Sequence, residues 1–200
     1  GVLGLVKPTM RPGSLEEEIR LMPEGVGVIP LPQNVTRGTR DEFDAALAAY
    51  EVAAELLAAQ EVDLIHLAGT PPFMMLGCDG ERALLECWRA RFNIPVFAAP
   101  MSDAAALRAL GVTKLVGVTY SELQNELSRN YMNEAGFDVL AMEPIVVPFD
   151  EAGQISSRRV YSQDRKITRL NSSLVVIPSA VFSQQPKTSP PTTLPIRPLL

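Results

Sequence analysis

An α/β fold built on a doubly wound parallel sheet is what this sequence predicts, and three observations predict it. Short apolar runs alternate with longer amphipathic stretches as far as about residue 150. Most of the short runs are apolar at every position, as strands covered on both faces must be. Capping residues and acids open the amphipathic stretches, and glycines close them.

The first strand is expected at residues 2–6, an unbroken apolar run that ends at Lys7-Pro8. A helix follows at 14–22, where Ser14 and Glu17 have the spacing of a capping box. The second strand is placed at 25–30 and the next helix at 40–60, with Asp41 in its first turn. A third strand at 62–67 leads through a Gly-Thr-Pro-Pro turn to a helix at 80–91, and a short strand follows at 96–98. A helix at 102–110 begins near Asp103 and stops at Gly111, and a strand at 114–119 comes next. The pattern closes with a helix at 121–135, stopped by Gly136, and a strand at 138–142. One sheet is expected to run through all these strands, from residue 2 to about 147.

Beyond Asp150 the alternation fades. Residues 156–161 can begin a helix, and 174–177 is the one later run with strand character. No acidic residue occurs from Arg165 onward, and Pro186, Pro190, Pro191, Pro195 and Pro198 crowd the end, a composition expected to be disordered. The expected division is a first α/β lobe at 1–148, the start of a second lobe or a linker at 149–165, and an aberrant tail at 166–200 that adds little to the core.

The chain has 200 residues, 46% of them hydrophobic and 20% charged, with a formal net charge of −5. That charge argues against binding nucleic acid through a basic footprint. No apolar run approaches the roughly 18 to 20 residues of a membrane span, so no membrane partner is expected. Cys78 and Cys87 are the two cysteines, both inside one expected helix, which suits neither a disulfide nor a zinc knuckle. A reducing cytoplasm is the expected location. With no P-loop and no Gly-x-Gly-x-x-Gly, nothing supports a nucleotide cofactor, and no residue set points to a metal.

In open parallel sheets, ligands bind beyond the carboxyl ends of the strands. Three segments occupy such positions: Lys7-Pro8-Thr9, the run from His66 through Gly69-Thr70-Pro71-Pro72, and Thr119-Tyr120-Ser121-Glu122. Their hydroxyls and backbone N–H groups suit a carboxylate or an enediolate. The same residues also suit a plain tight turn and a helix cap, and local pattern leaves both readings open. His66, near the end of an apolar strand, reads as a packing residue, as do Cys78 and Cys87.

Together, Gly4-Leu5-Val6-Lys7-Pro8-Thr9, Leu67-Ala68-Gly69-Thr70-Pro71 and Val118-Thr119-Tyr120-Ser121 with Asn125-Glu126 resemble the aspartate/glutamate racemase superfamily. The branch they resemble is that of arylmalonate decarboxylase and maleate cis-trans isomerase. The resemblance covers residues 2–161 and implies two flavodoxin-like lobes with a cleft between them. It implies cofactor-independent isomerase, racemase or decarboxylase chemistry on a small carboxylic or dicarboxylic acid. Thr70 and Tyr120 would act as catalytic oxyanion donors, with Pro8, Thr9, Gly69, Pro71, Ser121 and Asn125 binding substrate.

The sequence departs from that pattern in three places. Gly69 stands where two-thiol members carry a first-lobe cysteine, Pro71 replaces a hydroxyl residue, and no cysteine follows Cys87, so the second-lobe thiol is absent. The run from Arg165 to Ser173 resembles translated sequencing-adaptor DNA, from which a native chain cut near Gln163 and a largely missing second lobe are expected. The alternative is a non-catalytic small-carboxylate binding module of the same fold. Oligomeric state is left open.

Overall fold

The computed structural model describes residues 1–10, 13–168 and 175–178. Seven strands and seven α-helices follow one another as β1 (Val2–Lys7), α1 (Gly13–Leu21), β2 (Gly27–Pro32), α2 (Arg40–Ala58), β3 (Leu64–Leu67), α3 (Pro71–Met74), α4 (Gly77–Phe92), β4 (Val96–Ala98), α5 (Ala99–Ala109), β5 (Lys114–Thr119), α6 (Glu122–Glu134), β6 (Asp138–Pro144), α7 (Ser157–Thr168) and β7 (Val175–Pro178). A 3₁₀ turn, Phe149–Gln154, joins β6 to α7. The α/β class and the parallel strands are as expected; α3 is an added turn, and α4 starts three residues earlier than residue 80.

The single sheet is corrected. The strands form two parallel sheets, four strands in the order β2-β1-β3-β4 and three in the order β6-β5-β7. The reason is that a strand buried on both faces has the same apolar pattern in either sheet. That pattern shows that β5 is central; it does not name the neighbours, and α5 carries the chain from the end of the first sheet to the start of the second.

The first core packs Val6, Ile65, Leu67, Val96 and Ala98 of the sheet against Phe43, Tyr50 and Leu57 of α2 and Leu85 and Trp88 of α4. The second sheet is covered on both faces. Leu115, Val139 and Met142 meet Leu107 of α5 and Leu127, Tyr131 and Met132 of α6, while Val116 and Val118 meet Ile155, Val160 and Ile167.

The loop before α2 is tied to the second sheet. Thr39 caps α2 by accepting from the Glu42 N–H at 3.3 Å, and the Glu42 carboxylate accepts from the N–H groups of Arg37 and Gly38 at 2.8 Å each. Burial opposes ionisation of Glu42, but the bonds from Arg37, Thr36 and Gly38 outweigh it and hold the carboxyl at about 2. Gly38, at φ +67°, lies flat against the Phe149 ring, where a Cβ would stand 2.4 Å from a ring carbon. Phe149 in turn makes edge contacts with Phe43 and Tyr120.

Residues 166–168 and 175–178 are the described part of the expected tail. Ile167 is 1% exposed, and β7 supplies the third strand of the second sheet. Ile167 packs on one face of the second sheet with Val116 and Val118, and the β7 backbone pairs with the edge of β5. The proline-rich residues 186–200 lie outside the described residues. Replacing Ile167 by Ala is expected to cost about 2 to 4 kcal/mol, the usual loss for a buried Ile. Removing residues 166–200 is expected to lower the melting temperature by several degrees; an unchanged thermal melt would show that Ile167 and β7 contribute nothing.

Candidate anion site between the two sheets

The turn after β3 is shaped by backbone constraints. Tyr50, fully buried on α2, donates to the Ala68 carbonyl at 2.6 Å and meets Phe73 edge-on. Gly69 then adopts φ +95°, and a Cβ there would lie 2.9 Å from Pro8 Cγ and 3.0 Å from the Tyr50 hydroxyl. Only glycine fits without movement. The turn sets Thr70 as the residue before α3, half-buried, with its hydroxyl not used in capping.

After β5 the chain turns through Tyr120 into α6. Ser121 caps this helix by accepting from the Gln124 N–H at 3.1 Å. Gln124 is 1% exposed, and its side chain reaches across to the other sheet. Its Nε2 donates to Thr70 Oγ1 at 3.1 Å and to Ser128 Oγ at 2.8 Å, and its Oε1 accepts from the Tyr120 hydroxyl at 3.4 Å. Thr70 and Tyr120, 50 positions apart, thus meet at one buried amide. They come from the carboxyl ends of β3 and β5, which lie in different sheets rather than at neighbouring places in one.

The other expected residues are placed as follows. Pro8 packs on Gly69, and Thr9 is half-buried beside it in sequence. Pro71 is buried as the first residue of α3. Ser121 is committed to its cap, and Asn125 Oδ1 accepts from the buried Thr119 hydroxyl at 3.3 Å. The N–H groups of Gly69 and Thr70 find no protein acceptor among the described residues. Lys7, buried at the end of β1, faces Glu18 of α1; burial lowers its affinity for a proton, and Glu18 partly restores it.

Gln124 and Phe149 were not singled out by the sequence reading. The Ser-x-x-Gln spacing from Ser121 was a signal, since it matches a capping box. In the fold, however, the Gln124 side chain spans the seam instead of folding back on its own helix.

A cavity of about 800 Å³ lies behind Met74, lined among others by Cys78, Glu81, Met101 and Tyr131. It does not include Thr70 or Tyr120. Glu81 is 1% exposed and accepts from the Tyr131 hydroxyl and, at 3.3 Å, from the Met101 N–H. Burial raises its pKa, and burial with the Glu81 charge pushes Asp103 up to about 6. Burial also raises the Cys78 thiol, whose Sγ lies 3.5 Å from the Tyr131 carbonyl. Cys87 is exposed on α4. Among the described residues there is no cluster of three metal-ligating side chains and no helix long and apolar enough to cross a membrane.

No family model and no curated sequence matches the chain. Solved structures do, and the likeness is one of fold, shared with arylmalonate decarboxylases and maleate isomerases. One is a glycine-to-cysteine, cysteine-to-serine variant of arylmalonate decarboxylase in liganded form, with TM-score 0.78 and 18% identity, covering 89% of this chain and 77% of that one. A maleate isomerase from Pseudomonas putida S16, with maleate, has TM-score 0.75 and 15% identity over 91% of this chain and 88% of its own. A Nocardia farcinica maleate cis-trans isomerase with a covalently bound succinylcysteine intermediate has TM-score 0.75 and 18% identity over 91% and 89%.

Two consequences can be measured. Gly69→Ala is expected to lower stability by about 1 to 3 kcal/mol, because the side chain meets Pro8 and Tyr50 and the backbone is left-handed; chemical denaturation reads this directly. His66 stacks on Phe97 with ring centroids 4.5 Å apart, and burial lowers its pKa to about 4, so it is neutral at pH 7. The unfolded chain takes up a proton near 6.5 that the folded state refuses until about 4. Stability from this group is therefore present above 6.5 and is lost as pH falls through that window. His66→Phe, which keeps the stack, is expected to flatten the decline by up to about 3 kcal/mol between pH 7 and pH 4, as measured by urea unfolding at the two pH values.

Proposed function

We propose that the seam between Gly69-Thr70 and Tyr120 binds the carboxylate of a small carboxylic or dicarboxylic acid, without a cofactor. The observation that carries this reading is the convergence of the Thr70 and Tyr120 hydroxyls on one buried amide. Thr70 Oγ1 accepts from Gln124, which leaves its own hydrogen to be donated elsewhere. The Gly69 and Thr70 N–H groups add two donors at the same turn. Donors fixed in advance and aimed at one place are what a carboxylate or an enediolate requires. Pro8 and Thr9 wall the site, Pro71 fixes the turn, and Ser121 and Asn125 hold the Tyr120 loop. Fold likeness to proteins solved with maleate and with a succinylcysteine supports an acid of that size. The −5 charge and the two free cysteines fit a small-molecule protein of the reducing cytoplasm rather than a nucleic-acid binder.

The reaction type such a site serves is isomerisation, racemisation or decarboxylation through an enediolate. An acid must return the proton within about 3 Å of the carbon, and in the enzymes the sequence resembles that acid is a thiol. Neither cysteine of this chain fulfils that role. Cys78 is a thiol with raised pKa, bonded toward α6 on the cavity side of Met74, and Cys87 lies more than two turns along α4. The chain as given is therefore a carboxylate-binding protein that turns over no substrate of this kind, whether as an incomplete enzyme or as a binding module.

Titration of the chain with maleate and with malonate, followed by calorimetry or NMR shifts, tests the site. Thr70→Val and Tyr120→Phe are each expected to weaken binding roughly tenfold or more, the scale of one hydrogen bond to a charged group. Phenylmalonate decarboxylation, maleate isomerisation and aspartate racemisation are expected to stay at background. A rate above background that disappears in Tyr120→Phe would assign the chemistry to a group dismissed above.

A further inference from the structure

We infer that Gln124 is the positioning residue of this site, setting the direction in which Thr70 and Tyr120 present their hydroxyl hydrogens. The inference deepens the carboxylate-binding reading and rests on it.

A threonine hydroxyl can donate once, accept twice, and rotate to suit. Thr70 Oγ1 receives the Gln124 Nε2 hydrogen at 3.1 Å, so its own hydrogen cannot point at that amide nitrogen. It must be directed elsewhere, and no hydrogen bond donated by Thr70 Oγ1 is found among the described residues. Without the amide, the hydroxyl would be free to donate inward, toward the sulfur of Met74 or its own helix turn. Gln124 thus occupies an acceptor position of the Thr70 oxygen and leaves the hydroxyl hydrogen for a ligand carboxylate in the seam.

The opposite end of the same amide treats Tyr120 differently. The phenol donates to Gln124 Oε1 across 3.4 Å, longer than a well-formed O–H···O bond. A carboxylate arriving nearer to the phenol would take that hydrogen at small cost, since a hydrogen bond to a charged acceptor is about twice as strong as a neutral one. One hydroxyl is held ready and the other in reserve.

The amide itself is immobilised. Nε2 donates also to Ser128 Oγ at 2.8 Å and lies 3.7 Å from Met74 Sδ, and the Gln124 backbone is fixed by the Ser121 cap at 3.1 Å. Only an amide of this length supplies a donor to one sheet and an acceptor to the other. Glutamate would offer acceptors alone and pull the Thr70 hydrogen inward, and methionine would offer neither.

The test uses the full chain and maleate as probe. Gln124→Met, close in volume, and Thr70→Val are each expected to weaken maleate binding roughly tenfold. Because Gln124 acts through Thr70, the double variant is expected to bind within about twofold of the weaker single variant rather than roughly a hundredfold below wild type. A purely structural role for Gln124 would give additive losses, and that result overturns the inference. If Gln124→Met proves poorly folded, Gln124→Glu gives the Ser128 hydroxyl an acceptor in place of a donor and is expected to bind at least tenfold more weakly than wild type; unchanged binding overturns the inference. Wild-type binding that falls in Thr70→Val but not in Gln124→Met sinks the role of Gln124 alone. Absence of wild-type binding sinks the carboxylate site and this inference together.

Discussion

One face of α6 holds this molecule together and does so with polar groups. Gln124, Ser128 and Tyr131 recur at helical spacing of four and three, and all three are at most 3% exposed. Their partners lie on the other unit: Thr70 and Met74 for the first two, Glu81 for the third. A buried polar group without a partner costs about 1 to 3 kcal/mol, so three in a row on one stripe admit few relative placements of α6 against α3 and α4. Apolar surfaces can slide over one another with little penalty; this stripe cannot. The closeness of Thr70 to Tyr120 follows from that registration.

The exposed ends of the same seam add weaker ties. Arg40 of α2 pairs with Glu126 of α6 at 3.1 Å, and Glu134 accepts from the Cys78 N–H at 3.0 Å where α4 begins at Gly77. The Arg40–Glu126 pair is half-exposed on both sides and contributes little by itself. Phe149 is the apolar counterpart, closing the gap between α2 and Tyr120 with two edge-on ring contacts. Its approach depends on Gly38 having no side chain, and the Gly38 loop depends in turn on the Glu42 carboxylate. A chain of local constraints thus reaches the site from one helix cap.

Electrostatics divide the seam into two regions of different character. Around Thr70 and Tyr120 the groups are neutral donors and acceptors. Behind Met74, Glu81 and Asp103 lie close enough for the charge of one to raise the other, and burial favours their protonated forms. Cys78 shares that acidic environment, which keeps its sulfur as a thiol, the less reactive form. Proximity in sequence to the Thr70 turn therefore does not make Cys78 a nucleophile for the anion site; Met74 and the turn of α3 lie between them.

The sequence by itself determined the elements. Apolar runs read as parallel strands covered on both faces, and the carboxyl ends of β3 and β5 pointed to Thr70 and Tyr120, because ligand sites of such sheets lie there. His66 read as a packing residue and is stacked on Phe97. Only the tertiary structure decided which strands share a sheet, since a strand covered on both faces has one pattern whatever its neighbours. Only it could show that Ile167 and Val175–Pro178 join the second sheet, because a short apolar run gains meaning from the edge it meets. Gln124 stayed hidden for the corresponding reason: on a helix surface its pattern is that of a solvated residue or a capping partner. Its role exists only when Thr70, 54 positions away, is brought within hydrogen-bond reach by the meeting of two sheets.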